Sequence, residues 1–129
     1  MTPEQYLDKA LHAAEAAKLL LSANEIDGAC NRAYYAMFNA AHAALLWSGA
    51  HTNPGETRKH SSLIAAFGKH LVLTGIFPQG LGKALNRAES IRLLADYTGE
   101  DIDSQQAHSI VKEAENFVSA VKNKYKTVV

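Results

Sequence analysis

The stretch from Cys30 to Trp47, "CNRAYYAMFNAAHAALLW", narrows what this chain can become more than any other. Alanine, the strongest helix former, recurs through it at Ala33, Ala36, Ala40, Ala43 and Ala44, and nothing in it alternates with period two. Small side chains on several sides let neighbouring helices approach closely, so this is a central helix of a packed bundle. Residues three or four apart share a face. Tyr34, Phe38, Ala41 and Leu45 make one apolar stripe. Arg32, Tyr35, Asn39 and His42 make a polar and aromatic stripe beside it. An arginine packed between helices calls for an anionic partner, because an unpaired buried charge is expensive.

The rest of the chain reads as helix in the same way. Thr2-Pro3-Glu4-Gln5 is a capping box with proline at the first helical position, opening a helix to about Ser22. Asn24 is expected to cap the second helix, which runs from about Glu25 to Trp47 and stops at Gly49. "SGAHTNPGET", residues 48–57, is a connector rich in turn residues. A third helix is expected from about Arg58 to Leu73, a fourth from Gln79 to Tyr97, and a last one capped by Asp103 or Ser104 and running to Tyr125. The expected fold is all-α: an up-and-down bundle of about five helices forming one domain over residues 1–129.

Thirteen basic and thirteen acidic residues cancel. A protein that coats nucleic acid through non-specific phosphate contacts carries a basic excess, so that class is disfavoured, while a local basic pocket stays compatible. The single cysteine, Cys30, allows neither an intrachain disulfide nor a cysteine zinc cluster, and is read as a small packed residue. The N-terminal residues carry no signal-peptide pattern, and no apolar run reaches the ~18–20 residues of a membrane span, so a cytoplasmic protein without a membrane partner is expected. None of the six histidines lies three or four positions from another, which removes a helical metal pair. "GIFPQGLG", from Gly75 to Gly82, lacks the preceding strand and following lysine of a phosphate-binding loop. No metal and no cofactor are expected.

The fourth helix carries "NRAESIRLLADY", with Arg87, Glu89, Arg92 and Asp96. Arg92 can pair with Asp96 four positions on, or with Glu89 three positions back. Asp96 can equally take Arg32 across the two central helices. A fold-fixing charge network and a functional pocket are both open readings of these residues.

"NRAYYAMFNAAHAALL", followed by "KHSSLIAAFGKHLVLTGIF" and "ALNRAESIRLLADYTG", resembles the small prokaryotic HEPN proteins over nearly the whole chain. The resemblance implies a helical bundle, commonly a homodimer, often encoded beside a minimal nucleotidyltransferase and acting with it as a toxin–antitoxin pair. It also implies kinship with metal-independent ribonucleases whose signature is R-x4-6-H, the arginine holding the scissile phosphate and the histidine moving protons. This chain departs from that signature. No histidine falls in the window after Arg32, Arg58, Arg87 or Arg92. The equivalent stretch is Arg92 to Tyr97, where Asp96 and Tyr97 stand near the proton-transfer position. Their ordinary pKa values, about 3.9 and about 10, are far from neutral.

The expected site is therefore a phosphate or nucleotide cleft in which Arg32, Tyr35 and Asn39 face Arg92, Asp96 and Tyr97, with His42 one turn beyond Asn39. The expected function is the helical partner of a minimal nucleotidyltransferase, binding nucleotide or RNA. Two other functions compete: an active metal-independent ribonuclease toxin with a non-standard site, and a purely structural interaction protein. Tyr97 is a candidate for modification by the partner.

Overall fold

The computed structural model describes residues 1–49, 59–98 and 101–125. Its elements are α1 (Pro3–Ser22), α2 (Ile26–Ser48), α3 (His60–Phe67), α4 (Gln79–Thr98) and α5 (Ser104–Tyr125). Among the described residues there is no strand, and the chain is an all-α bundle of five helices. The expected connector of residues 48–57 falls largely on residues 50–58, which lie outside the described residues, as does Arg58.

Local chemistry explains the helix ends. Thr2 Oγ1 accepts from the Gln5 N–H at 3.1 Å, and Gln5 Oε1 accepts from the Thr2 N–H at 2.8 Å. This is the reciprocal box the sequence calls for. Asn24 behaves otherwise than expected. It does not cap α2, whose N-cap position is Glu25 and carries no side-chain cap. Asn24 instead adopts a left-handed conformation, φ 61°. The N–H groups of Asn24 and Glu25 then close back onto the carbonyls of Leu21 and Leu20, at 3.0 and 2.8 Å. Asparagine is one of the few residues that tolerates this geometry, and two otherwise orphaned carbonyls of α1 are satisfied. Asp103 caps α5: its carboxylate accepts from the Gln105 N–H at 2.6 Å, and Gln106 reaches back to its own N–H at 3.3 Å.

The third helix is shorter than its apolar pattern implies. After Phe67 the turns widen into a π-helical segment, Gly68–Val72, closed by the Leu73 N–H on the Gly68 carbonyl at 2.9 Å. Gly75, at φ 82°, then reverses the chain into α4.

The helix α2 is the axis of the bundle and packs against α1, α3, α4 and α5. Every buried residue of α1 is an alanine: Ala10, Ala13, Ala14 and Ala17. On the other sides of α2 the core is built of larger groups, among them Met37, Phe67, Leu85 and Phe117, all fully or almost fully buried. Burying each such side chain contributes about 1.5–3 kcal/mol before conformational entropy is charged against it. At the end of α5, Tyr125 stacks on Trp47 with ring centroids 5.0 Å apart, fastening the C-terminal helix to α2. No described helix is long and apolar enough to cross a membrane.

Candidate functional site

Tyr34 lies on the α2 face that meets α3 and α4, and its residue surface is 0% exposed. Its ring supplies core volume, but its hydroxyl cannot be buried without partners. Two remote residues supply them. His60, the first residue of α3, places Nδ1 2.8 Å from Tyr34 Oη. Glu89, on α4, accepts from the same hydroxyl through Oε2 at 3.3 Å. One turn beyond Glu89, Arg92 lays its guanidinium over the Tyr34 ring, Cζ 4.8 Å from the centroid. The Arg92 side chain is 13% exposed and reaches Asp96 Oδ2 only at 3.4 Å. Its Nε is buried and has no hydrogen-bond partner among the described residues. The cluster thus holds an arginine with unspent donor capacity.

The electrostatics follow from this packing. Burial pushes the Tyr34 phenol well above its ordinary pKa, and the Glu89 carboxylate adds to the rise while Arg92 opposes it. His60 is pushed below the ordinary histidine value, first by burial and then by the Arg92 charge, with Glu89 opposing. At neutral pH the cluster therefore contains a neutral imidazole beside a protonated phenol.

Arg32, Tyr35 and Asn39 gather elsewhere. With Lys9, His12 and Ala13 of α1 they line a groove of about 520 Å³ between α1 and α2. Arg32 is exposed, so the buried anionic partner expected for it is not required; its Cζ stands over the Tyr35 ring at 5.9 Å. Asn39 Nδ2 donates to the Tyr35 carbonyl at 2.9 Å. The titratable residues lining this groove are Lys9, His12, Arg32 and Tyr35, none of them acidic. Tyr35 belongs to both places: it lines the groove, and its ring meets His60 edge-on at 5.6 Å.

The six residues expected to share one cleft are thus distributed. Arg92 and Asp96 pair within α4, Arg32 and Asn39 line the α1–α2 groove, and Tyr35 touches both places. The Tyr97 side chain lies outside the described residues. His42 stacks on Tyr6 of α1 at 4.0 Å, and burial depresses its pKa. Arg87 pairs with Glu113 of α5, away from Tyr34.

Sequence reasoning misses Tyr34 and His60. Helical spacing puts Tyr34 in the apolar stripe, although a tyrosine there carries a hydroxyl that must be satisfied. His60 offers only its position before an apolar helix, and no local spacing links it to α2 or α4.

The family model of the HEPN domain matches residues 3–124. The chain belongs to the HEPN family. A "UPF0332 protein" of Gloeobacter violaceus is 34% identical to this HEPN chain over 122 residues, covering 92% of this chain and 93% of that protein. "Putative toxin MJ0605" of Methanocaldococcus jannaschii is 35% identical over 113 residues, 88% of this chain and 81% of that one. A "UPF0332 protein" of Thermotoga maritima is 34% identical over 120 residues, covering 92% and 86%. In this HEPN protein Arg92 of α4 lies over the Tyr34 ring, and the histidine at the Tyr34 hydroxyl comes from α3.

Proposed function

We propose that this protein is a toxin-like HEPN component that binds RNA or nucleotide phosphate, works as a homodimer and partners a minimal nucleotidyltransferase. The observation that carries the ligand is Arg92. Its guanidinium is largely buried, poorly paired with Asp96 and short of a partner at Nε. A phosphate offers the bidentate oxygens that such an arginine lacks. The basic groove of Lys9, His12 and Arg32 continues from this cluster through Tyr35, giving a strand a second place to lie. The partner and the dimer rest on the family resemblance, and the toxin role also on relatives that bear the name toxin.

Titration of a labelled RNA oligonucleotide and of ATP against wild type, Arg92→Ala and Arg32→Ala tests the ligand. Loss of binding in Arg92→Ala with an unchanged melting temperature is the expected result; equal binding by all three proteins rejects the cleft. Co-purification with the products of the flanking genes tests the partner, and a chain recovered alone rejects that part.

A second reading, an active metal-independent ribonuclease with a non-standard site, is favoured by one observation. The structure packs His60 into the Arg92 cluster, where the R-x4-6-H pattern has no histidine. Growth arrest on expression without the neighbouring genes, abolished by Arg92→Ala, is the expected outcome. Arrest that survives this substitution sinks the reading.

A further inference from the structure

Away from the Tyr34 cluster, a cavity of about 210 Å³ lies between α4 and α5. Residues three or four apart share a helix face, so α4 brings Lys83, Ala84 and Arg87 to it, and α5 brings Glu113, Asn116 and Phe117. Leu81 joins Ala84 and Phe117 in its apolar wall. The volume falls below the roughly 300–1,000 Å³ of sites for drug-sized ligands, so the cavity suits a molecule of amino-acid size.

The polar wall is incompletely paired. Arg87 meets Glu113 through one carboxylate oxygen, Oε1. The other, Oε2, is buried and has no hydrogen-bond partner among the described residues. A carboxylate can only accept, and an acceptor taken out of water without a donor loses its hydration with nothing in return. Lys83 makes no ion pair with a described residue. The Arg87 side chain is 52% exposed, so its guanidinium has donors to spare and room to swing off Oε2. The cavity therefore holds an acceptor without a donor beside two cations with unused donors, against an apolar wall.

We infer that this cavity binds a free α-amino acid with an apolar side chain. The ammonium group donates to Glu113 Oε2, and the carboxylate accepts from Lys83 and Arg87. The carboxamide of Asn116 both donates and accepts, so it serves either head. The side chain of the ligand lies on Leu81, Ala84 and Phe117. Both charges are needed. An amine alone would face two cations, and a carboxylate alone would leave Oε2 unpaired. Binding here uses no residue of the Arg92 cluster and does not depend on the RNA reading.

The test is titration of L-leucine into the nitrogen-labelled full chain, followed by amide NMR shifts. Saturable shifts at Lys83, Ala84, Glu113 and Asn116 are expected. N-acetyl-L-leucine lacks the ammonium group and L-leucinamide lacks the carboxylate. Each should bind roughly tenfold or more weakly than leucine, because each loses a charge-assisted hydrogen bond. Glu113→Gln, which keeps the side-chain shape, should weaken leucine about as much as acetylation does. The analogue series uses wild-type protein alone and stands even where that variant fails to fold. No saturable shift at these amides with leucine, valine or phenylalanine overturns the site. Equal binding of leucine and its two analogues overturns the recognition of both charges.

Discussion

The α2 helix looks two ways, and its two sides are built on opposite principles. Toward α1 it meets a surface whose every buried residue is alanine. Where Gly28 approaches that helix, a Cβ would stand only 3.4 Å from Leu20. Toward α3 and α4 it meets Tyr34, His60, Glu89 and Arg92, with a phenol, an imidazole and two charges packed together. The alanine side fixes helix separation, and His42, stacked there on Tyr6 of α1, keeps a buried Nδ1 without a partner among the described residues. The tyrosine side must satisfy each buried polar atom with a specific partner, and Arg92 Nε is left over.

Substitutions can break this contrast. Tyr34→Ala removes the largest fully buried side chain and both hydroxyl contacts, and should cost about 3–5 kcal/mol in urea unfolding. Ala17→Leu, at a position with 0% exposure on α1, forces the alanine side apart and should cost about 1–3 kcal/mol by overpacking. Normal RNA binding in a still-folded Ala17→Leu protein would show that the two sides are energetically separate.

Acid probes both sides, through His60 toward α3 and α4 and through His42 toward α1. The pKa of His60 is depressed on folding, so the unfolded chain binds more protons once pH falls below the ordinary value near 6.5. Stability is full above that value and declines as pH drops through it toward the folded pKa. The slope is at most about 1.4 kcal/mol per pH unit for one group. His42, depressed by burial, adds a similar contribution. Thermal melts from pH 7.5 to 5 should show the decline, and His60→Gln should remove His60's share of it. The smallest effect belongs to Gly28→Ala. The new methyl meets Leu20 at ordinary contact distance, and the helix gains about 0.5–1 kcal/mol by losing glycine's freedom. A destabilised Gly28→Ala protein would mean that the α1–α2 contact is tighter than its geometry implies.

Much of this arrangement is legible in short stretches of sequence. The capping box at Thr2, the break after Ser22, the stop at Gly49 and the capping of α5 by Asp103 are each written in a few adjacent residues. Asn24 shows the limit of such signals. Asparagine both caps helices and tolerates a left-handed turn, and the sequence alone does not choose. Arg92 with Asp96 is legible as a pair four positions apart on one helix. Arg32 is not, because five nearby alanines imply a crowded helix without saying which side stays open to solvent.

Sequence by itself determined that the chain is helical and where most of its helices stop and start, because those depend on residues close along the chain and on a helical period of about 3.6; the third helix and the turn at Asn24 are where it fell short. Tertiary structure alone decided the site. Tyr34, His60 and Glu89 are 26 and 55 positions apart in the two contacts that join them. No local period records such a meeting; it exists only once α3 and α4 have folded against α2.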